Sequence, residues 1–162
     1  MWKQSSLIAP PMIAIAALFA SGSASAEPCR SMPSVVASAT VGNNTASGGH
    51  LTQHIEGATP PPGASQIGKT LFEAPGKFNT VWAAYTKTNR ITPVNCAGKQ
   101  AQQEVPLEQL GIRFLGALSC KEVGADLRCK KWDSYMAKSV FFGFILRNGH
   151  WILNTAFPEP LQ

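Results

Sequence analysis

Ser139-Val140-Phe141-Phe142-Gly143-Phe144-Ile145-Leu146-Arg147, then Asn148-Gly149, then His150-Trp151-Ile152-Leu153-Asn154-Thr155-Ala156-Phe157 is the stretch on which the fold turns. Both arms are rich in aromatic and branched residues, the composition of strands. Asn-Gly lets both central residues take positive φ, which the favoured two-residue hairpin turn requires. The two arms therefore pair antiparallel, and Pro158 stops the second. Immediately upstream, Ile112 to Lys121 and Leu127 to Trp132 read as another strand pair joined through Gly124-Ala125-Asp126. Four strand runs at such close spacing predict an antiparallel meander.

The first half of the chain has a different period. Phe78, Val81, Trp82 and Tyr85 recur every three or four residues, so Lys77 to Lys87 is expected as an amphipathic helix with its aromatic stripe on a core. Leu51 and Ile55 fall four apart, as do His50 and His54, which predicts a short helix with an apolar side and a histidine side. Gly57 ends it, and Pro60 to Gly63 is a rigid loop. Val35 to Val41 reads either as one short helix or as part of a loose lead-in. The expected class is α+β, with amino-terminal helices packed on a four-stranded antiparallel meander sheet and stapled by disulfides. A lead-in over residues 27–47 would precede a single domain over residues 48–162.

With 162 residues, 44% of them hydrophobic and 14% charged, the chain is one domain's worth of foldable protein, and overall disorder is excluded. Met1 to Ser6 carries Lys3, Leu7 to Ala20 is almost purely apolar, and Ala24-Ser25-Ala26 has small residues at its first and third positions. That order is a secretory signal over residues 1–26, with an apolar run shorter than the roughly 20 residues of a membrane span. The expectation is an exported chain, periplasmic or secreted, without stable membrane insertion after cleavage. Removing Lys3 lowers the net charge from +5 to +4.

Export places Cys29, Cys96, Cys120 and Cys129 in an oxidising compartment. Four cysteines allow three pairings. Cys120 and Cys129 flank the Gly124-Ala125-Asp126 turn and could face each other across a hairpin, leaving Cys29 for Cys96. A metal site is the alternative, but no Cys-x-x-Cys spacing is present. No metal and no cofactor are expected.

Candidate chemistry centres on the histidines. On an α-helix, His50 and His54 would project from one face, and the Gly48-Gly49 pair before them would permit a ligand to approach closely. Imidazole is the side chain suited to proton transfer near neutral pH. A solvated or core-satisfied pair is one alternative, and zinc ligation by the pair is another, although no His-Glu-x-x-His arrangement occurs. Lys69 lies in Ile67-Gly68-Lys69-Thr70, which does not form a nucleotide phosphate loop. Arg128, Lys130 and Lys131 are the one dense basic cluster, either a solvated strand side or a polyanion-binding patch. His150, beside a hairpin turn, is expected at the surface.

Gly48-Gly49-His50 with His54-Ile55-x-Gly57, followed near the end by Trp151-Ile152-Leu153-x-Thr155-Ala156-Phe157-Pro158, resembles the bacterial ribonuclease A-like toxin domain of contact-dependent inhibition systems, related in fold to barnase-like toxin nucleases. The likeness spans about Gly48 to Pro158. It implies a metal-independent ribonuclease acting through the ribose 2′-OH to give a 2′,3′-cyclic phosphate. Catalytic residues would be His54, His50, Lys69 and Thr155, while Arg128, Lys130, Lys131 and Phe157 would bind substrate. RNA would be the substrate and a small inhibitor (immunity) protein a partner. Phe157 stands where that family has tyrosine, and Lys69 is the nearest cation to the place of its basic residue. Two other readings stand beside this one: an exported binding module of the same fold without catalysis, and an unrelated disulfide-stabilised periplasmic protein.

Overall fold

The computed structural model describes residues 27–160, so the expected signal segment lies outside the described residues. Six strands form: β1 (Thr70–Phe72), β2 (Gln100–Pro106), β3 (Gly116–Val123), β4 (Cys129–Met136), β5 (Ser139–Arg147) and β6 (His150–Glu159). Four α-helices accompany them: α1 (Pro33–Ser38), α2 (Val41–Asn44), α3 (Pro75–Lys87) and α4 (Leu107–Leu110). The class is α+β, but the four carboxyl-terminal strands do not make one meander. They divide into two antiparallel sheets of three strands, in the orders β1-β3-β4 and β2-β5-β6. β3 and β4 pair, β5 and β6 pair, and Ala137-Lys138 carries the chain from one sheet to the other. The split follows from β1 and β2, neither of which has a strong hydrophobic signature, each pairing with one hairpin.

The two hairpin turns show how local sequence sets geometry. Asn148 and Gly149 both have positive φ, 49° and 78°, as a two-residue turn of the favoured hand demands. In the β3–β4 link the left-handed residue is Leu127, with φ 62°, because a three-residue turn over Gly124-Ala125-Asp126 needs a closing residue in that region. Cys120 and Cys129 are bonded across this hairpin, and Cys29 is bonded to Cys96.

The core lies between α3 and the β2-β5-β6 sheet. Phe78, Val81 and Tyr85 of α3 are buried, and Tyr85 stacks on Phe142 of β5 with ring centroids 4.0 Å apart. Residues 27–47, expected as a lead-in, are part of this core: Cys29, Val35, Ser38, Ala39 and Asn44 are all buried. Their polar members have a definite task on β6, an edge strand whose outer backbone groups need partners. The Ser38 hydroxyl accepts from the Leu153 N–H at 2.8 Å, and the Asn44 amide donates to the Leu153 carbonyl at 2.7 Å. The Asn44 carbonyl oxygen then accepts from the Leu51 N–H at 2.8 Å, which starts the histidine-bearing turn.

That turn, Leu51–His54, is a 3-10 helix rather than the expected α-helix. At three residues per turn, positions i and i+4 lie on different faces. His50 is therefore exposed while His54 is buried, and the two do not form a common histidine face. Gly49 is also not a place for a ligand, since a Cβ there would overlap the Asn44 carboxamide. We expect Gly49→Ala to cost about 1–3 kcal/mol by forcing that carboxamide aside. Gly42→Ala, where a Cβ meets nothing within 4 Å, should stay within about 0.5 kcal/mol of wild type. Urea denaturation of the two variants checks the difference.

Candidate functional site

His54 is wedged between the sheets. Its Nδ1 lies 2.8 Å from the carbonyl oxygen of Thr70 on β1, and its ring stacks on Phe157 of β6 at 4.7 Å with planes 25° apart. A carbonyl only accepts, so Nδ1 carries the proton and the lone pair is on Nε2. Among the described residues no protein group hydrogen-bonds Nε2, and it is not one of the buried polar atoms left without a partner. Solvent, or a ligand, reaches it. The position of the turn is fixed from below by Gln66, wholly buried, whose amide donates to the Thr52 and Ile55 carbonyls at 3.0 and 2.8 Å. The Gln66 carbonyl oxygen accepts from the Cys129 N–H at 2.8 Å, which ties the turn to the disulfide-bonded hairpin.

Burial is the main cause that lowers the His54 pKa from 6.5 to about 4; the Thr70 carbonyl opposes it, while positive charge on Lys69 and His50 lowers it further. His54 is thus neutral at pH 7. The same balance shows that Lys69 and His50 stand close enough to act on its charge. Lys69 is half-buried, and no salt bridge engages it among the described residues.

Thr155 lies on the face of β6 that carries Phe157, two residues away. Opposite it is Gly143, where a Cβ would come within 3.1 Å of the Phe141 ring and 3.3 Å of the Thr155 methyl, so both side chains lean over a bare backbone. Phe141 in turn stacks on Phe157 at 4.7 Å, which gives a continuous row His54-Phe157-Phe141 across β6 and β5. The Thr155 hydroxyl is buried without a hydrogen-bond partner. Between Leu153 and Thr155 the β5–β6 register slips, and the extra residue is Asn154, whose carbonyl accepts from the His50 N–H. Such a bulge re-aims an edge strand, and here it lets the histidine turn dock.

The basic cluster lies on the exposed β3–β4 hairpin. Arg128 pairs with Asp126, and Lys130 and Lys131 both pair with Glu122, all within the β3–β4 hairpin. Arg128 and Lys130 also border a shallow hollow of about 260 Å³ that holds Glu56 and Asp126. Three cations thus face two carboxylates at an exposed surface, Lys130 and Lys131 sharing Glu122. His150 is exposed. A larger cavity of about 900 Å³ at the joint between the sheets, near Phe114 and Met136, is lined by none of His50, His54, Lys69, Thr155 or Phe157.

Four contributors had no role in the sequence reading. Thr70 acts through its backbone, which no sequence motif marks. Phe141 and Gly143 carried a signal, because a glycine inside a strand run marks close approach. Tyr135 of β4 donates from its hydroxyl to the Pro158 carbonyl at 2.8 Å. Among the described residues no group of His, Cys, Asp and Glu side chains could hold a metal ion, and no helix is long and apolar enough to cross a membrane. Comparison with protein-family models, with curated proteins and with solved structures finds no match.

The depressed His54 pKa has a sign for stability. Below pH 6.5 the unfolded chain takes up the proton first, so stability is full above that pH and falls as the pH drops toward about 4. The loss from this buried group is about 3 kcal/mol. Urea midpoints measured between pH 7 and 4 should fall accordingly in the wild type, and His54→Gln should remove most of that slope.

Proposed function

We propose that this chain is a metal-independent endoribonuclease whose general base is His54. The observation that carries this reading is the state of that imidazole: neutral at pH 7, held in one tautomer by the Thr70 carbonyl, and flanked by two groups able to carry positive charge. Nε2 accepts the proton of a ribose 2′-OH, O2′ forms a bond to the adjacent phosphorus, and the bond from phosphorus to O5′ breaks. The departing O5′ takes its proton from His50, which shares no face with His54 but stands close enough to act on its charge. The products are a 2′,3′-cyclic phosphate and a free 5′-hydroxyl. Lys69 meets the negative charge growing on the phosphate oxygens, and the Thr155 hydroxyl, buried without a partner, donates to one of them. The finer expectations, export and recognition by an inhibitor protein of the toxin type, belong to the same proposal.

A second reading is favoured by two observations. With a pKa of about 4, His54 is a weak base, and Phe157 places a phenyl ring where a phenol could have moved a proton. On that reading the fold binds RNA and no longer cuts it.

The oxidised mature chain, incubated with RNA in the presence of EDTA, should release 2′,3′-cyclic phosphate ends and leave DNA intact. His54→Ala should lower kcat by about 10²-fold or more, and Lys69→Ala should lower it less. The low-pH limb of kcat/KM should fall near pH 4, where His54 takes up its proton. RNA retained without cleavage selects the binding module, and neither retention nor cleavage defeats both readings.

A further inference from the structure

Tyr135 lies in β4 at the edge of the first sheet, opposite Ala117 of β3. Its hydroxyl bond to Pro158 is, among the described residues, the one side-chain hydrogen bond that joins a strand of β1-β3-β4 to a strand of β2-β5-β6. His54 spans the same gap, bonded to Thr70 on one sheet and stacked on Phe157 of the other. The two spans meet on both sides. Pro158 directly follows the phenylalanine that covers the imidazole, and the Thr70 side chain stands near enough to the Tyr135 phenol to act on its titration while its carbonyl holds Nδ1.

The geometry points to Tyr135 as a positioning residue for His54: it straps the sheets together so that the Thr70 carbonyl and the Phe157 ring close on the imidazole from opposite sides. Without the hydroxyl, the Pro158 carbonyl loses the phenol, and the β6 end that carries Phe157, still paired with β5, is held less tightly against the first sheet. Water, which in the intact protein reaches only Nε2, then gains the Thr70 and Phe157 sides of the ring as well. A phenol is suited to this place because it presents an apolar body to the gap and a donor at its tip. Burial, the leading cause, raises its pKa to about 12, the Thr70 side chain opposes that shift, and the nearby Glu159 carboxylate adds to it, so the hydroxyl keeps its proton across the working range. The cations that act on His54 are Lys69 and His50, and neither hydrogen-bonds Tyr135 among the described residues.

The role is independent of whether RNA is cut, although its use in catalysis rests on the proposed ribonuclease reading. The test is therefore an NMR titration of the His54 imidazole in the full oxidised chain, with ¹⁵N shifts reporting the tautomer. In Tyr135→Phe the His54 pKa should rise by about one pH unit or more from its value near 4, and the Nδ1-protonated form should lose its dominance. Tyr85→Phe is the control: Tyr85 also donates from a phenol, to Gln103 at 2.9 Å in the main core, and its loss should leave the His54 titration unchanged. Thr70→Val keeps the carbonyl, removes the hydroxyl that faces the phenol, and should shift the titration in the same direction by less; it decides the matter if Tyr135→Phe does not fold. If RNA is cleaved, Tyr135→Phe should lower kcat about tenfold, leave KM within about threefold and carry the low-pH limb upward with the His54 pKa. An unchanged His54 titration in folded Tyr135→Phe, or in Thr70→Val where that variant decides, overturns the assignment whatever the activity assays give. A shifted titration with no RNA cleavage retains it and defeats only the ribonuclease reading.

Discussion

Asn44 is the contact on which the rest of the site depends. Its carboxamide is wholly buried and satisfied on both sides, donating to the Ser38 and Leu153 carbonyls and accepting from the Leu51 N–H. One side chain therefore closes the outer edge of β6 and fixes the start of the turn that bears His54. The arrangement leaves no room for a side chain at Gly49. Leaving a buried amide or carbonyl unpaired costs about 1–3 kcal/mol, so removing Asn44 would release the edge and the turn together. The bulge at Asn154 belongs to the same contact, since it turns a carbonyl of β6 toward the His50 N–H.

From that anchor the site is built by two sheets that do not share a strand. One gives the Thr70 carbonyl, the other the Phe157 ring, and the imidazole is held where they come together. Gln66 reaches from beneath this turn to the β4 backbone at Cys129, beside the Cys120–Cys129 bond. Packing and electrostatics act in the same direction here. Burial between the sheets makes His54 neutral, and Lys69 and His50 keep it so.

Much of this was legible in the sequence where the signal is local. Asn148-Gly149 defined its hairpin because only a few residue types accept positive φ at both turn positions. The stripe of Phe78, Val81 and Tyr85 defined α3 because a buried helix face has a fixed period. The division into two sheets was not legible, because it is decided by β1, three residues long, and by β2, a run of glutamines around Ala101 and Val105. The histidine spacing misled for a related reason: four residues mark one face on an α-helix, but the Asn44 and Asn154 bonds hold this segment as a 3-10 turn. The ion pairs of Arg128, Lys130 and Lys131 were not legible either, since composition counts cations and not the acids folded against them.

The central claim is that RNA enters the gap between the sheets at His54 and not the basic hairpin. The most direct measurement is ¹H–¹⁵N mapping of the oxidised chain with an RNA oligonucleotide carrying 2′-fluoro groups, which removes the nucleophile and preserves the phosphates. The account predicts that shift changes concentrate at His50 to Ile55, Lys69, Thr70 and Thr155 to Phe157. Changes confined to Arg128, Lys130 and Lys131, or no changes at all, would contradict it.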